Sequence, residues 1–384
     1  MTTRQRVFGL GLSWLVGVWI VAGISGSVLP GISAGRPWSY DIAKRVTPLT
    51  RWDSGWYVNI AEAGYWEPPT RVGQETNHAF FPLYPALVRI VVRTTGIETS
   101  LAGNLVSALA LLGALLLFAD WTKRHYGEAR VVPAVLVLLL FPTSFFFAAV
   151  YTEALLLALS LSAVVAFERR SLPVGALAGF LAGLTRISGL VLAPYLALVA
   201  FRAERDAGSP RVRSLGAAAV AGASPLLGFG LFCLYFWKRF RDPLLFVTAQ
   251  HNWSGETKSI LEGPLLIWRG VVDDIQRGRI LGAAPARTLE GLYLLLFFVL
   301  AVILLRQRRR AEALYVFLSV AIVFASGTFE SAGRYVLPAF PAFAALAGLN
   351  GTPALRDLFR ALLVLAGLAQ VAYVWAFVHW YWAG

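Results

Sequence analysis

Apolar runs separated by short basic or polar turns make up most of this chain. Read for hydrophobic continuity, the sequence gives eleven apolar segments: 7–29, 101–119, 131–149, 152–168, 172–185, 187–201, 214–236, 289–305, 311–326, 335–349 and 361–380. Several approach the about 20 residues that cross the hydrocarbon of a bilayer as a helix. The pattern predicts an all-α polytopic membrane protein with about 11 transmembrane or re-entrant helices. Segments 172–185 and 187–201 are short for upright spans and are interrupted by Gly or Pro. A re-entrant pair or broken helices is expected there, with the freed backbone groups facing protein or a water-filled cavity. Two polar stretches, 30–100 and 238–288, are long enough to carry function or secondary structure of their own. Within the first, 54–64 reads as a helix and 86–93 as a short amphipathic helix at the membrane interface. Pro82 and Pro85 are expected to break any helix around them.

Composition strengthens this reading. Hydrophobic residues are 58% of the 384 and charged residues 14%, against roughly 45–50% and 25% in ordinary soluble domains. That excludes a soluble fold of average make-up. The formal charge is +13, but the basic residues lie at segment ends and form no base-reading module, so nucleic acid is not expected as a partner. Topology and anionic headgroups account for the charge better. With the N-terminus inside, inner loops collect Arg4, Arg6, Lys123, Arg124, Arg169, Arg170, Arg205, Arg308 and Arg310, among others, while short outer turns hold Arg186 and Arg334. This follows the positive-inside rule. The first segment has the basic start of a signal peptide, but it is longer than a typical apolar core and no A-x-A-like site closes it. It is read as a retained helix. The single Cys233 allows no disulfide within the chain and no thiolate metal site.

In this topology the unusual polar residues gather on the outer side. They comprise Arg51-Trp52-Asp53-Ser54-Gly55-Trp56-Tyr57, then Asn77-His78-Ala79-Phe80-Phe81-Pro82-Leu83-Tyr84-Pro85, Tyr151-Thr152-Glu153, Arg186, Gln250-His251-Asn252-Trp253, and Glu330 with Gly333-Arg334-Tyr335. Each has a plainer reading. The aromatics suit interfacial anchors, Asp53 suits a helix cap, and Arg334 suits a snorkelling helix-end residue. His78 and His251 have no companion at metal-ligand spacing and read as hydrogen-bonding residues. Glu153 and Arg186 resist such readings, because ionisable groups at membrane depth are costly and usually paired or functional.

The motifs from Arg51-Trp52-Asp53 through Ala61-Glu62-Ala63-Gly64-Tyr65, and then Ala79 through Pro85, resemble the PIG-V type of GPI mannosyltransferase and its bacterial relatives. Phe141-Pro142-Thr143-Ser144, Tyr151-Thr152-Glu153, Leu184-Thr185-Arg186 with Gly189, and Arg334-Tyr335 with Pro338 and Pro341 extend the likeness. It is strongest over 51–85 and weakest over 202–291. The resemblance implies one GT-C membrane domain over 1–384, with an essential acidic residue in the first outer loop, a place Asp53 occupies. It implies a polyprenyl or dolichyl phosphate mannose donor, inversion at the sugar, and no nucleotide sugar. The Arg- and Ala-rich composition, with one Met and one Cys, reads as bacterial, so the GPI acceptor does not carry over.

A displacement of this kind needs a carboxylate to deprotonate the acceptor hydroxyl and cations to meet charge on the departing phosphate. Asp53 is the candidate base, and Arg186 and Arg334 are the candidate phosphate ligands. Trp52, Trp56, Tyr57, His78, Tyr84, Glu153, Gln250, His251, Asn252 and Tyr335 are candidates for holding sugar or acceptor, with Phe80 and Phe81 as further walls. No metal set or cofactor is expected: there is no Asp-x-Asp pair, Asp273-Asp274 being adjacent, and no Walker-type loop. The expected partners are a polyprenyl phosphate sugar, an extracytoplasmic acceptor and the bilayer of the cell membrane. Two rivals are a transporter of lipid-linked glycans, which predicts polar residues along both halves of a pathway, and a GT-C-like subunit without turnover.

Overall fold

The computed structural model describes residues 2–28, 47–68, 75–254, 287–325, 331–351 and 353–381, together with 269, 272, 273 and 276. Among them there are helices, turns and irregular segments and no strand. The long helices are α1 (Thr3–Val28), α4 (Thr99–Tyr126), α9 (Arg211–Phe240), α11 (Arg287–Arg306) and α15 (Pro353–Val378). Six stretches are long and apolar enough to cross a membrane: one within each of these five, and 187–206, which joins a 3-10 turn to α8 (Leu192–Asp206). Shorter helices fill the space between them: α2 (Ser54–Ala63), α3 (Leu83–Thr95), α5 (Val131–Leu140), α6 (Glu153–Glu168), α7 (Leu172–Gly183), α10 (Leu245–Ser254), α12 (Arg310–Ala325), α13 (Ala332–Tyr335) and α14 (Phe340–Leu346).

The periodicity of α1 shows how the bundle sits in lipid. Phe8, Leu12, Val16, Ile20 and Ile24, four apart, all point outward and are exposed, while Val7, Leu15, Val18 and Ala22 are buried against α4 and α15. An apolar stripe that wide on the outside is stable only against hydrocarbon. α9, α11 and α15 show similar exposed leucines and valines.

Four of the expected apolar segments depart from single helices. The segment 131–149 is helical only to Leu140; it then drops into a 3-10 turn (Pro142–Phe147) and stays buried and irregular up to α6. Its backbone is satisfied from neighbouring helices: Asn104 Nδ2 donates to the Ala148 carbonyl at 2.9 Å and Ser107 Oγ to that of Ala149 at 2.7 Å. Gln370 on α15 donates to the carbonyls of Leu139 and Phe141 at 2.9 and 2.8 Å. Such partners allow a non-helical chain within an apolar bundle. The pair 172–185 and 187–201 is a broken helix, with Arg186 extended at the break (φ −171°, ψ 165°). The segment 335–349 divides among α13, α14 and a final 3-10 turn.

Prolines 82 and 85 do not break a helix, as their spacing suggested. Pro82 is the residue before α3 and Pro85 lies in its first turn, where a missing N–H costs nothing.

Polar contacts divide into two sets at opposite ends of the bundle. One links Arg4 and Arg169 to Asp120, Arg124 to Glu168 and Arg170 to Glu204. The other joins the polar motifs described below.

Candidate active site

The site begins with a short chain reversal ahead of α2. Thr47 Oγ1 bonds Thr50 Oγ1 at 2.6 Å and Asn104 Oδ1 at 2.9 Å. Arg51 donates to the carbonyls of Thr47, Thr50 and Val378. Trp52 then takes a left-handed conformation, φ 56°, which is unusual for a bulky residue and marks a constrained turn. Asp53 follows in the helix-capping position, but its side chain makes no capping bond. The cap reading of Asp53 is therefore incorrect, because an ion pair competes for the carboxylate. At its other end α2 is held by Arg89, which donates to the Ala61 and Ile60 carbonyls at 2.6 and 2.8 Å.

The partner of Asp53 is Arg334, with Nη1 2.8 Å from Oδ2. Arg334 Nε also lies 3.4 Å from Glu153 Oε1, and the same oxygen accepts from Arg186 Nη1 at 2.5 Å. Four charges from four distant stretches thus alternate in one chain: Asp53, Arg334, Glu153, Arg186. Glu153 is fully buried, with Arg334 5% and Arg186 8% exposed. Charges this deep persist only when paired. The arginines also lie over aromatic rings, Arg186 4.2 Å from the Tyr335 centroid and Arg334 5.0 Å from that of Tyr151. Tyr57 lies within electrostatic reach of all four charges.

Several polar atoms beside the chain have no hydrogen-bond partner among the described residues: Glu153 Oε2 and the hydroxyls of Ser54, Thr152 and Ser188. Each lies within two residues of Asp53, Glu153 or Arg186. Arg186 gives one of its five N–H donors to Glu153, and the others have no acceptor among the described residues. Buried polar groups are normally satisfied, so their concentration here suits a hydroxylated, anionic ligand.

Arg334 is held by its backbone. Glu290, at the head of α11, is 3% exposed and accepts from the Gly333 N–H at 2.7 Å. Thr143 Oγ1 donates to the Gly333 carbonyl at 2.9 Å. A Cβ on Gly333 would come within 2.8 Å of Tyr293 and 2.9 Å of Thr143.

The expected sugar contacts fare unevenly. Trp56, Tyr57 and Phe80 form one aromatic wall, with Trp56 stacked on Phe80 at 6.0 Å and Tyr57 edge-on to it at 5.2 Å. Trp52 packs against Trp380 at 5.9 Å. Tyr84 is turned inward: it is fully buried and its hydroxyl bonds the Gly103 carbonyl and Ser107 Oγ, both at 2.8 Å. That corrects the reading of Tyr84 as a sugar contact, since a Tyr buried in the bundle needs an internal partner for its hydroxyl. Phe81 likewise belongs to a separate apolar cluster with Phe232, Phe236 and Phe246. Both ring nitrogens of His78 are engaged, by Thr76 Oγ1 at 2.9 Å and the Trp66 carbonyl at 3.0 Å, and burial lowers its pKa. His78 is thus a loop-ordering residue. Gln250 lies exposed on α10; the side chains of His251 and Asn252, and Glu330, lie outside the described residues.

Sequence reading assigned no role to Ser54, Thr152, Ser188, Glu290 or Glu75. The first three adjoin or lie near residues it did choose. Glu290 carried a signal, an acid at the start of an apolar run. Glu75 has its pKa raised by partial burial and then by the charge of Asp53, which puts another acid within electrostatic reach of Asp53.

This helical architecture, with buried charges gathered at one end, is similar to the fold of a solved membrane protein, ArnT. Residues 39–205 match the family model Mannosyltransferase (PIG-V), the family that the motifs resemble. Among solved structures, ArnT from Cupriavidus metallidurans in the apo state is 17% identical, covering 93% of this chain and 62% of that one at a TM-score of 0.51. The same protein bound to undecaprenyl phosphate gives 15%, 97%, 74% and 0.50. The Archaeoglobus fulgidus oligosaccharyltransferase, in a complex with Zn and sulfate, is 14% identical at a TM-score of 0.46; this chain is covered over 97% and spans 53% of that one. No curated protein matches the chain.

Proposed function

We propose that the protein is a membrane glycosyltransferase that moves a hexose, mannose by family likeness, from a polyprenyl phosphate to an acceptor hydroxyl, with inversion. The observation that carries this reading is the continuous ion chain from Asp53 to Arg186, which brings a carboxylate and cations together in one cluster. The donor phosphate is met by Arg186, whose remaining N–H groups suit phosphate oxygens. Its negative charge competes with Asp53 for Arg334. As Arg334 turns toward phosphate, Asp53 is released to take the proton of the acceptor hydroxyl on the opposite face of the sugar. Both arginines then stabilise charge building on the leaving phosphate. Glu153 orients them, and its second oxygen, with Ser54, Thr152 and Ser188, receives sugar hydroxyls.

ArnT is described with undecaprenyl phosphate bound, which supports a lipid-linked donor for this fold. The basic loops support an N-terminus inside and a site on the extracytoplasmic face of the cell membrane. A transporter is less well supported, because the buried charges collect at the two ends of the bundle and not along a pathway.

The test supplies purified protein with radiolabelled polyprenyl phosphate mannose and a membrane extract. Asp53→Asn is expected to slow transfer by about 10²–10⁴-fold, the usual worth of a general base. An unchanged rate would remove Asp53 from that role. Failure of the wild type to consume the donor with any acceptor mixture would sink the transferase reading.

A further inference from the structure

We propose that Glu290 is a positioning residue that sets Arg334 through the hydrogen bond it accepts from the Gly333 N–H. Glu290 lies in the first turn of α11, outside every motif that carries the family likeness. It is 3% exposed, and no cation lies within ion-pair distance among the described residues. A carboxylate buried on those terms is costly and marks a functional role more often than a packing one. Its Oε2 is 2.7 Å from the Gly333 nitrogen, one residue before the guanidinium that joins Asp53 to Glu153.

The rest of the turn is arranged for the same grip. Tyr293, one helical turn beyond Glu290, closes on Gly333 so tightly that a Cβ there would lie 2.8 Å from its ring. Tyr293 Oη in turn bonds Tyr373 on α15 at 3.2 Å. From the opposite side Thr143 donates to the Gly333 carbonyl. Ser331 enters the turn at φ 78°, a conformation that persists only where surroundings enforce it. The peptide before Arg334 is therefore clamped from α11 and from the irregular segment after α5. Glu290 also lies within electrostatic reach of Arg334, a third acid bearing on that cation.

The catalytic consequence rests on the proposed transfer reaction, whereas the positional claim does not. The experiment measures hydrogen exchange in wild type, Glu290→Ala and Glu290→Gln in lipid nanodiscs, with thermal unfolding as a check on folding. Loss of the carboxylate that accepts from this turn's backbone should speed exchange about tenfold in the peptide covering 331–337 of Glu290→Ala. A smaller rise is expected in 51–57, where Arg334 holds Asp53. Glu290→Gln keeps an acceptor oxygen and should stay near wild type. Where Glu290→Ala is poorly folded, Glu290→Leu fills the space without an acceptor and gives the same reading.

In transfer assays Glu290→Ala should change donor KM and kcat in the proportions seen for Arg334→Ala, and the double variant should be no worse than Arg334→Ala alone. Unchanged exchange in 331–337, or fully additive losses in the double variant, would overturn the proposal. Wild type that transfers no sugar while exchange responds as expected would refute the transferase reading and leave the positioning role intact.

Discussion

Arg334 is the residue on which the site turns, because one guanidinium bridges two carboxylates from separate helices. Removing it leaves Asp53 and fully buried Glu153 with less compensating charge, a change that costs about 3–5 kcal/mol in comparable buried pairs. Arg334→Ala is therefore expected to lower thermal stability in detergent as well as activity. Arg334→Lys keeps the charge but loses the planar fork; it should recover much of the stability and little of the turnover. Equal turnover in Arg334→Lys and wild type would show that the fork is not used. His78 gives a pH signature that is independent of catalysis. Burial lowers its pKa, so the fold favours the neutral ring, which bonds Thr76 and Trp66. That contribution is complete above the unfolded value of about 6.5 and is lost as pH falls through the lower folded value. His78→Gln should flatten the acid limb of a stability–pH curve between pH 7.5 and 5, and an unaltered limb would discount His78 as its source.

Among the elements, α7 and α9 meet backbone to backbone, and Arg186 follows the end of α7. A Cβ on Gly183 would lie 2.0 Å from the Pro225 carbonyl oxygen, and one on Gly228 1.9 Å from that of Phe180. These are backbone atoms, which no rotamer change can move. Gly183→Ala should therefore force the helices apart, costing at least about 1–3 kcal/mol, and should displace Arg186 from Glu153. A lowered melting temperature together with a raised donor KM is the expected result, while a neutral substitution would mean that the helices tolerate separation. The break between α7 and α8 was legible from the shortness of 172–185 and its glycines. The tightness of the contact was not, because it depends on which helix a glycine faces.

For the whole molecule, the segregation of polar groups to two ends predicts sidedness. In a Cys233→Ser background, a cysteine at exposed Glu62 should react with a membrane-impermeant maleimide in intact cells, and one at exposed Arg308 should react only after lysis. The reverse pattern would invert the topology. The run of apolar segments, the basic loops and the residue types near Asp53, Glu153, Arg186 and Arg334 could all be read along the chain, because hydrocarbon thickness and the cost of burying charge act on local sequence. The meeting of those four side chains could not, since Asp53 and Arg334 are brought together only by packing between distant helices. The same holds for the inward turn of Tyr84, whose hydroxyl is claimed by Gly103 and Ser107, and for Glu290, whose place at the start of an apolar run shows in sequence while its bond to Gly333 does not. Which oxygen faces which guanidinium is decided by helices crossing in three dimensions, and no periodicity in one dimension encodes it.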